Sequence, residues 1–272
     1  MSEMFEGQTI IITGGASGIG AALAYRLHQS GAEVAIADRD QEALRATAAR
    51  IGCLGVQCDV TREGDIRGCI GEVTKAFGPV DMFVSNAGLF AGQPGHPASA
   101  SDDVWMRNWM VHVMAHVYAA RAILPSMLER GSGRLVQITS AAGLLNQIGN
   151  AAYSATKHAA VSFAESLAIA HGDAGLDVSV VCPQYVATPL LGFDESGVLE
   201  GKGLLTADQV AQAIIEGVEA GRFLILPHPE VALHAQRRAA DHDRWIDGMR
   251  RLHAQAVEEL GTDRLSQLYL LD

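Results

Sequence analysis

The chain has no CxxC pair, no uninterrupted apolar run of about 18 residues and no basic N-terminus, and each absence removes a class of protein. Its four cysteines, Cys53, Cys58, Cys69 and Cys182, show no zinc spacing. Neither a disulfide scaffold nor a structural metal is expected, and the thiols read as reduced ones in a cytoplasmic protein. The start, MSEMFEGQTIIITGG, carries acids where a secretory signal needs a positive lead. Without a long apolar run, no membrane span is expected. Basic residues are in the minority: 20 Lys and Arg against 31 Asp and Glu give a formal charge of -11. They are scattered, so nucleic acid and anionic membrane surfaces are not expected partners.

What is there, across 272 residues, is an alternation of short β-branched runs and longer segments of helical period. Strands are expected over 9–13, 33–38, 55–58, 82–85, 134–138, 177–182 and 223–226. Helices are expected over 18–30, 40–51, 62–77, 102–130, 151–172 and 206–221. A helix between successive strands returns the chain to its starting edge, so the strands pair in parallel. The expectation is a single α/β domain, a doubly wound open sheet of about seven parallel strands with helices on both faces. Two long irregular segments, 89–101 and 183–204, follow strand C-terminal ends, where such sheets bind ligands.

The first strand runs into TGGASGIG, residues 13–20. Gly14, Gly18 and Gly20 permit a tight turn and close approach of backbone to a ligand. With Ser17 and Ile19 they place free helix N-terminal amides toward a pyrophosphate. The spacing is GxxxGxG rather than GxGxxG, and no Gly-Lys-Ser/Thr follows, so a plain strand-to-helix turn is the other reading of this stretch alone. Asp38 ends the second strand at the distance where an acid accepts from ribose hydroxyls and repels a 2′-phosphate, which favours NAD over NADP. Arg39 could instead bind that phosphate or stack on adenine. Asp38 could also cap the next helix, a role open to Asp40. CDVT, with Asp59 and Val60, and NAG, with Asn86, Ala87 and Gly88, put small or polar residues along the same crest.

Tyr153 and Lys157 stand at i and i+4 in a predicted helix, on one face. A tyrosine of pKa about 10 must fall roughly three units to exchange protons near neutrality, and an adjacent ammonium together with a positively charged nicotinamide ring could supply that fall. Ser140, at the end of the fifth strand, is placed to hold a substrate oxygen. The trio suits hydride transfer to or from a nicotinamide. In order and interval, TGGASGIG, CDVT, NAG, ITS and YSATK resemble the short-chain dehydrogenase/reductase family over about residues 7–189. The resemblance implies a Rossmann-type core and catalytic Ser140, Tyr153 and Lys157, with Lys157 also on the nicotinamide ribose. It implies contacts from Val186 and Thr188 near the cofactor carboxamide and phosphates. On it rest the boundaries: a dinucleotide-binding and catalytic core over 1–228, a substrate loop at about 189–205, and a helical extension of the same domain over 229–272.

Two features depart from that pattern. His112, in WMRNWMVHVMA, stands where the family has an asparagine that helps hold a proton-relay water. Histidine can hold water and titrate near neutrality, so His112 is expected to keep that relay, with Asn108 one turn earlier as a partial substitute. His112 and His116 also have ligand spacing, but no acid or third ligand accompanies them, and no metal is expected. CPQY puts Gln184 and Tyr185 where the family has Pro-Gly, bulk beside the nicotinamide pocket that narrows it or contacts substrate, a loop variation without consequence being the other reading.

Substrate contacts are expected from Ala141, Ala142, Leu144, Asn146 and Gln147, from Phe90 and His96, and from Leu190 to Phe193. Most are apolar and no arginine stands among them, which points to a neutral, fairly hydrophobic secondary alcohol or ketone. Apolar faces in HAAVSFAESLAIA and WMVHVMAHVYAARAIL exceed what one sheet covers, so a homodimer or homotetramer is expected. In the tail, Trp245, Met249, Leu252 and Ala256 form a helical stripe that docks on the same subunit or its neighbour. An NAD-dependent oxidoreductase is the leading reading. A dinucleotide-binding sensor without turnover, and a dehydratase or epimerase of the same fold, are the alternatives.

Overall fold

The run TIIIT makes β1 (Thr9–Thr13), buried at every position. Its alternate side chains go to opposite faces. Ile10 and Ile12 join one core with Leu23 and Leu27, and Ile11 joins the other with Phe83 and Ile123. Burying each such side chain stabilises the fold by roughly 1.5–3 kcal/mol, so β1 anchors both layers.

This architecture comes from a computed structural model, in which residues 3–91, 95–193, 203–265 and 267–271 are described. From β1 the chain continues through α1 (Gly18–Gln29), β2 (Glu33–Asp38), α2 (Gln41–Ile51), β3 (Leu54–Gln57), α3 (Glu63–Phe77) and β4 (Met82–Ser85). Then come α4 (Asp102–Trp109), a π turn (Met110–Met114), α5 (Ala115–Arg130), β5 (Gly133–Ile138), α6 (Ala151–His171) and β6 (Leu176–Val181). The last part holds β7 (Tyr185–Ala187), β8 (Leu204–Thr206), α7 (Ala207–Glu219), β9 (Leu224–Ile225), α8 (Glu230–Ala240) and α9 (His242–Leu260).

The main sheet has seven strands in the order β3-β2-β1-β4-β5-β6-β9, all paired parallel. Leu23, Leu44 and Ile214, from α1, α2 and α7, join the core on one face; Ile66, Ile123 and Val161, from α3, α5 and α6, join that on the other. The order reverses at β1 and β4, which opens a crevice above their C-terminal ends. No helix among the described residues is long and apolar enough to cross a membrane.

Two expectations need correction. The helix expected over 102–130 is interrupted by the π turn, which carries buried His112; such a bulge leaves the local period unreadable from hydrophobic spacing. The segment 183–204 holds part of a second, two-stranded parallel ladder, β7 with β8. Strands of three residues in a mixed loop carry too little alternation to be read. Of the loop expected at 189–205, residues 194–202 lie outside the described residues.

Candidate active site

Gly14 and Gly18 have φ of 62° and 53°, the left-handed region that glycine tolerates. Space matters as much. A Cβ on Gly14 would lie 2.7 Å from the Ala87 Cα, and one on Gly20 would lie 2.4 Å from the Gly14 oxygen. Asn86 explains why β4 closes on this turn: its Nδ2 donates to the Thr13 and Gly14 carbonyls at 2.9 and 3.0 Å. The Asn86 and Ala87 amides donate to Thr13 Oγ1. Beyond the turn lies a cleft of about 420 Å3. Gly14, Ser17, Gly18, Ile19, Asp38, Arg39, Asp59, Val60, Asn86, Ala87, Gly88, Val186 and Thr188 all line it. Gly20 does not; it packs beneath.

Asp38 accepts from the Ala16 amide at 3.3 Å and the Asp40 amide at 3.1 Å. Asp40 caps α2 through the Glu42 and Ala43 amides, so Asp38 is not needed for that role. Burial pushes the Asp59 carboxyl up, but hydrogen bonds from Thr61 and the charges of Arg62 and Arg39 outweigh it and hold the group below its ordinary range.

At the inner end of the cleft stand Ser140, Tyr153 and Lys157. Ser140 follows β5 and accepts from the Ala142 amide at 3.1 Å. Tyr153 and Lys157 occupy the first turns of α6, whose N-terminus Asn150 caps through the Tyr153 amide. Gly143 brings the two elements together: a Cβ there would lie 2.8 Å from the Lys157 carbonyl. Sequence reasoning missed this glycine, which sits in no motif.

The rings of Phe90 and His112 enclose Tyr153 edge-on at 5.1 and 5.3 Å. Lys157 Nζ lies 5.5 Å from the Tyr153 ring centre and donates to the Ile138 carbonyl at 3.2 Å. The acidification expected of Tyr153 depends on the nicotinamide ring as well as on Lys157, and in the protein alone burial dominates. Burial pushes its pKa up to about 12, against a hydrogen bond with Ser140 that lowers it. Burial likewise pushes Lys157 down to about 8. Spacing shows which charges are near, not how dry the site is.

His112 also differs from expectation. Its Nδ1 meets Thr156 Oγ1 at 3.0 Å, and its Nε2 meets the backbone N and O of Leu89 at 3.2 and 3.1 Å. Either neutral tautomer is therefore satisfied by protein. Burial, then the charge of Lys157, push its pKa well below the ordinary value. Burial disfavours the imidazolium expected to titrate near neutrality, and the ring nitrogens tie the loop after β4 to α6. Asn108 donates to the Val104 carbonyl in its own helix, and its buried Oδ1 has no hydrogen-bond partner among the described residues. His116 turns to Gln137 Oε1 at 2.9 Å. No group of three or more metal-binding side chains occurs among the described residues.

On the substrate side, Phe90, Gln147, Gln184, Tyr185, Leu190 and Leu191 line the cleft. Leu144 does not; it packs against the core, and its carbonyl accepts from Arg238. Ala142, Ala141 and Asn146 line a neighbouring cavity instead. His96 lines neither space. It accepts from the Ala98 amide within its own loop. Gln147 Nε2 donates to Tyr185 Oη at 3.2 Å, and Tyr269 near the C-terminus packs on Tyr185 at 5.0 Å.

His228, another residue missed, fixes this loop: Nδ1 accepts from the Gln184 amide, and Nε2 faces the Tyr185 and Gly203 carbonyls. No arginine lines the inner end of the cleft itself. The neighbouring cavity carries Arg237, Arg244 and Arg251, brought from α8 and α9.

Comparison with known proteins gives a consistent pattern. Residues 8–197 match the family model described as short chain dehydrogenase. The chain is 34% identical over 193 residues to 3beta-hydroxysteroid dehydrogenase 2 of Eggerthella lenta, covering 69% of this chain and 74% of that one. A solved short chain dehydrogenase/reductase from Burkholderia phymatum, in complex with NAD, superposes with a TM-score of 0.80 at 29% identity, covering 89% and 96%. A 3-ketoacyl-(acyl-carrier-protein) reductase from Brucella melitensis, complexed with NADH, gives 0.75 at 28% identity, covering 82% and 96%.

Proposed function

Because the chain belongs to the short-chain dehydrogenase family, we propose that it binds NAD in the 420 Å3 cleft and interconverts a secondary alcohol and a ketone. The observation that carries this reading is the pairing of two hydroxyls, Ser140 and Tyr153, at the inner end of a cleft whose outer end is a glycine cradle and a carboxylate. The cradle suits a dinucleotide: at Gly14 and Gly20 any Cβ would collide with backbone, and the α1 N-terminus faces the space left open. Asp38 keeps lone pairs for ribose hydroxyls, and its charge disfavours a 2′-phosphate. When bound, the nicotinamide supplies the hydride acceptor or donor.

The chain's own residues do the rest. Ser140 holds the reacting oxygen by a hydrogen bond. Tyr153 takes the alcohol proton during oxidation and returns it to the ketone oxygen during reduction. Lys157 keeps a cation beside the phenol, and Phe90 and His112 exclude water from it. Beyond Ser140, Tyr153 and Lys157, the lining near the reacting carbon is uncharged, with Gln147, Gln184 and Tyr185 as its polar side chains. Gln184 Oε1 is buried with no hydrogen-bond partner among the described residues, an acceptor open to a substrate donor.

A panel of cyclic and aromatic secondary alcohols, offered with NAD and NADP side by side, tests the reading through NADH formation. NAD is expected to be preferred, and Asp38→Ser to lower the NAD:NADP ratio of kcat/KM by about 10-fold or more, the size of one lost charged hydrogen-bond acceptor. Equal or better rates with NADP in the native protein would remove the role given to Asp38. A dehydratase or epimerase would show no net nicotinamide absorbance change with its own substrate.

The outer faces of α4 and α6 expose Met106, Trp109 and Ile169, at 55%, 41% and 85%, which supports assembly into a homodimer or homotetramer. Light scattering that returned a monomer at micromolar concentration would count against it.

A further inference from the structure

The neighbouring cavity, of about 660 Å3, adjoins the cleft through shared walls at Ser140, Gln147, Gln184 and Tyr185. Its far wall is α9, which presents two parallel rows. Arg244, Gly248 and Arg251 stand at i, i+4 and i+7, and Trp245, Met249 and Leu252 form the row beside them. Arg237 joins from α8. The wall is fixed to the catalytic region, since Arg238 donates to the Leu144 carbonyl and Trp245 packs against Ala141 and Leu145.

What sets these arginines apart is that three of them line one cavity. Arg26, Arg62, Arg67, Arg121, Arg134 and Arg250 each pair with a carboxylate. Arg237, Arg244 and Arg251 form no ion pair with a described residue, in a protein whose formal charge is -11. The carboxylate in the lining, Asp241, caps α9 through the Arg244 amide at 2.9 Å. Gly248 is a helix-weakening residue in the middle of a 19-residue helix. A Cβ there would lie 3.9 Å from Arg251 Nη2, so the guanidinium lies back over the glycine along the wall. Guanidinium forks match carboxylate geometry and hold it by charge-assisted hydrogen bonds.

We infer that this cavity receives the far end of the substrate, a carboxylate carried on an apolar stem. The carboxylate meets Arg237, Arg244 and Arg251, the stem lies along Trp245, Met249 and Leu252, and the reacting carbon reaches Ser140 and Tyr153. The inference rests on the hydride-transfer reading for its reacting end, and on the cavity alone for its anionic end.

The test uses the full chain loaded with NADH and the straight-chain methyl-ketone acids from levulinate to 11-oxododecanoate, each beside its methyl ester. At the best chain length, kcat/KM for the acid is expected to exceed that for the ester by about 10-fold or more. In the double variant Arg244→Gln/Arg251→Gln that ratio falls toward one. Because the ratio is taken within each protein, a loss of folded fraction cancels. Calorimetric dissociation constants for the same pairs read the preference without chemistry. An acid-to-ester ratio near one at every length, or a preference that survives the double substitution, overturns the inference. Preferential binding of acids with no NADH consumed by any member upholds the anionic cavity and removes the hydride-transfer reading.

Discussion

Tyr153→Phe is expected to lower kcat/KM by roughly 10²–10⁴-fold, the contribution of a positioned acid–base group, while NADH still binds. The substitution deletes one hydroxyl and leaves the ring between Phe90 and His112. Ser140 keeps its bond from the Ala142 amide, and the glycine cradle is untouched.

The direction of the pH effect follows from burial. With its pKa pushed up to about 12 in the protein alone, Tyr153 holds its proton at neutrality and is ready to protonate a ketone oxygen. Alcohol oxidation needs the ionised phenol, so the native oxidation rate should climb as pH rises, and the residual rate of the variant should lack that climb. Steady-state kinetics in both directions and a fluorescence titration with NADH check the two halves. A variant retaining more than about a tenth of native turnover, against that expected range, would take the acid–base role away from Tyr153. If the protein is a dinucleotide sensor, its response should survive the substitution.

How much of this was legible depends on how local each cause is. β1 and β6 read as strands because their β-branched runs are buried on both sheet faces. The glycine turn read as a cradle because its chirality and crowding are set within a few residues. The bonds by which Asn86 binds that turn to β4 span more than 70 positions, and the NAG stretch hinted only at a groove. For Tyr153 the spacing identified the neighbouring amine and carried nothing of the burial that raises the pKa in the protein alone. Desolvation depends on Phe90 and His112, which no interval from Tyr153 reveals. His112 was noticed for its residue type, yet its role is set by Thr156 and Leu89 occupying both ring nitrogens. Of the tail helix, hydrophobic spacing shows the stripe Trp245, Met249, Leu252 and Ala256 and gives no place to the arginines beside it. Only the docking of α8 and α9 beside the Ser140 turn brings the arginines of the second cavity next to the cleft.

Lys157→Met is expected to do two opposite things: remove at least about 10²-fold of activity and make the dinucleotide-free protein more stable at pH 7. Lys157 is 4% exposed, and burial pushes its pKa down to about 8, below the unfolded value of about 10.4. A group with a depressed folded pKa contributes stability above its unfolded pKa and loses it as pH falls through the folded one. At pH 7 the buried ammonium therefore opposes folding. The shift corresponds to about 3 kcal/mol, offset by about 1 kcal/mol for the bond to the Ile138 carbonyl. Methionine fills similar space without charge, so a gain on the order of 2 kcal/mol, or about 4–8 °C in Tm, is the expected result at pH 7.

The native protein should also gain stability between about pH 8 and 10, whereas the variant should stay flat there. Above about pH 10 both should weaken, because the raised pKa of Tyr153 reverses the sign. Thermal unfolding across pH 6 to 11, run beside activity assays, reads all of this. A variant less stable than the native protein at pH 7, or a pH slope unchanged by the substitution, would mean that Lys157 carries no desolvation cost. With the cost present, the site shows the trade expected where function requires a charge that the fold alone would reject.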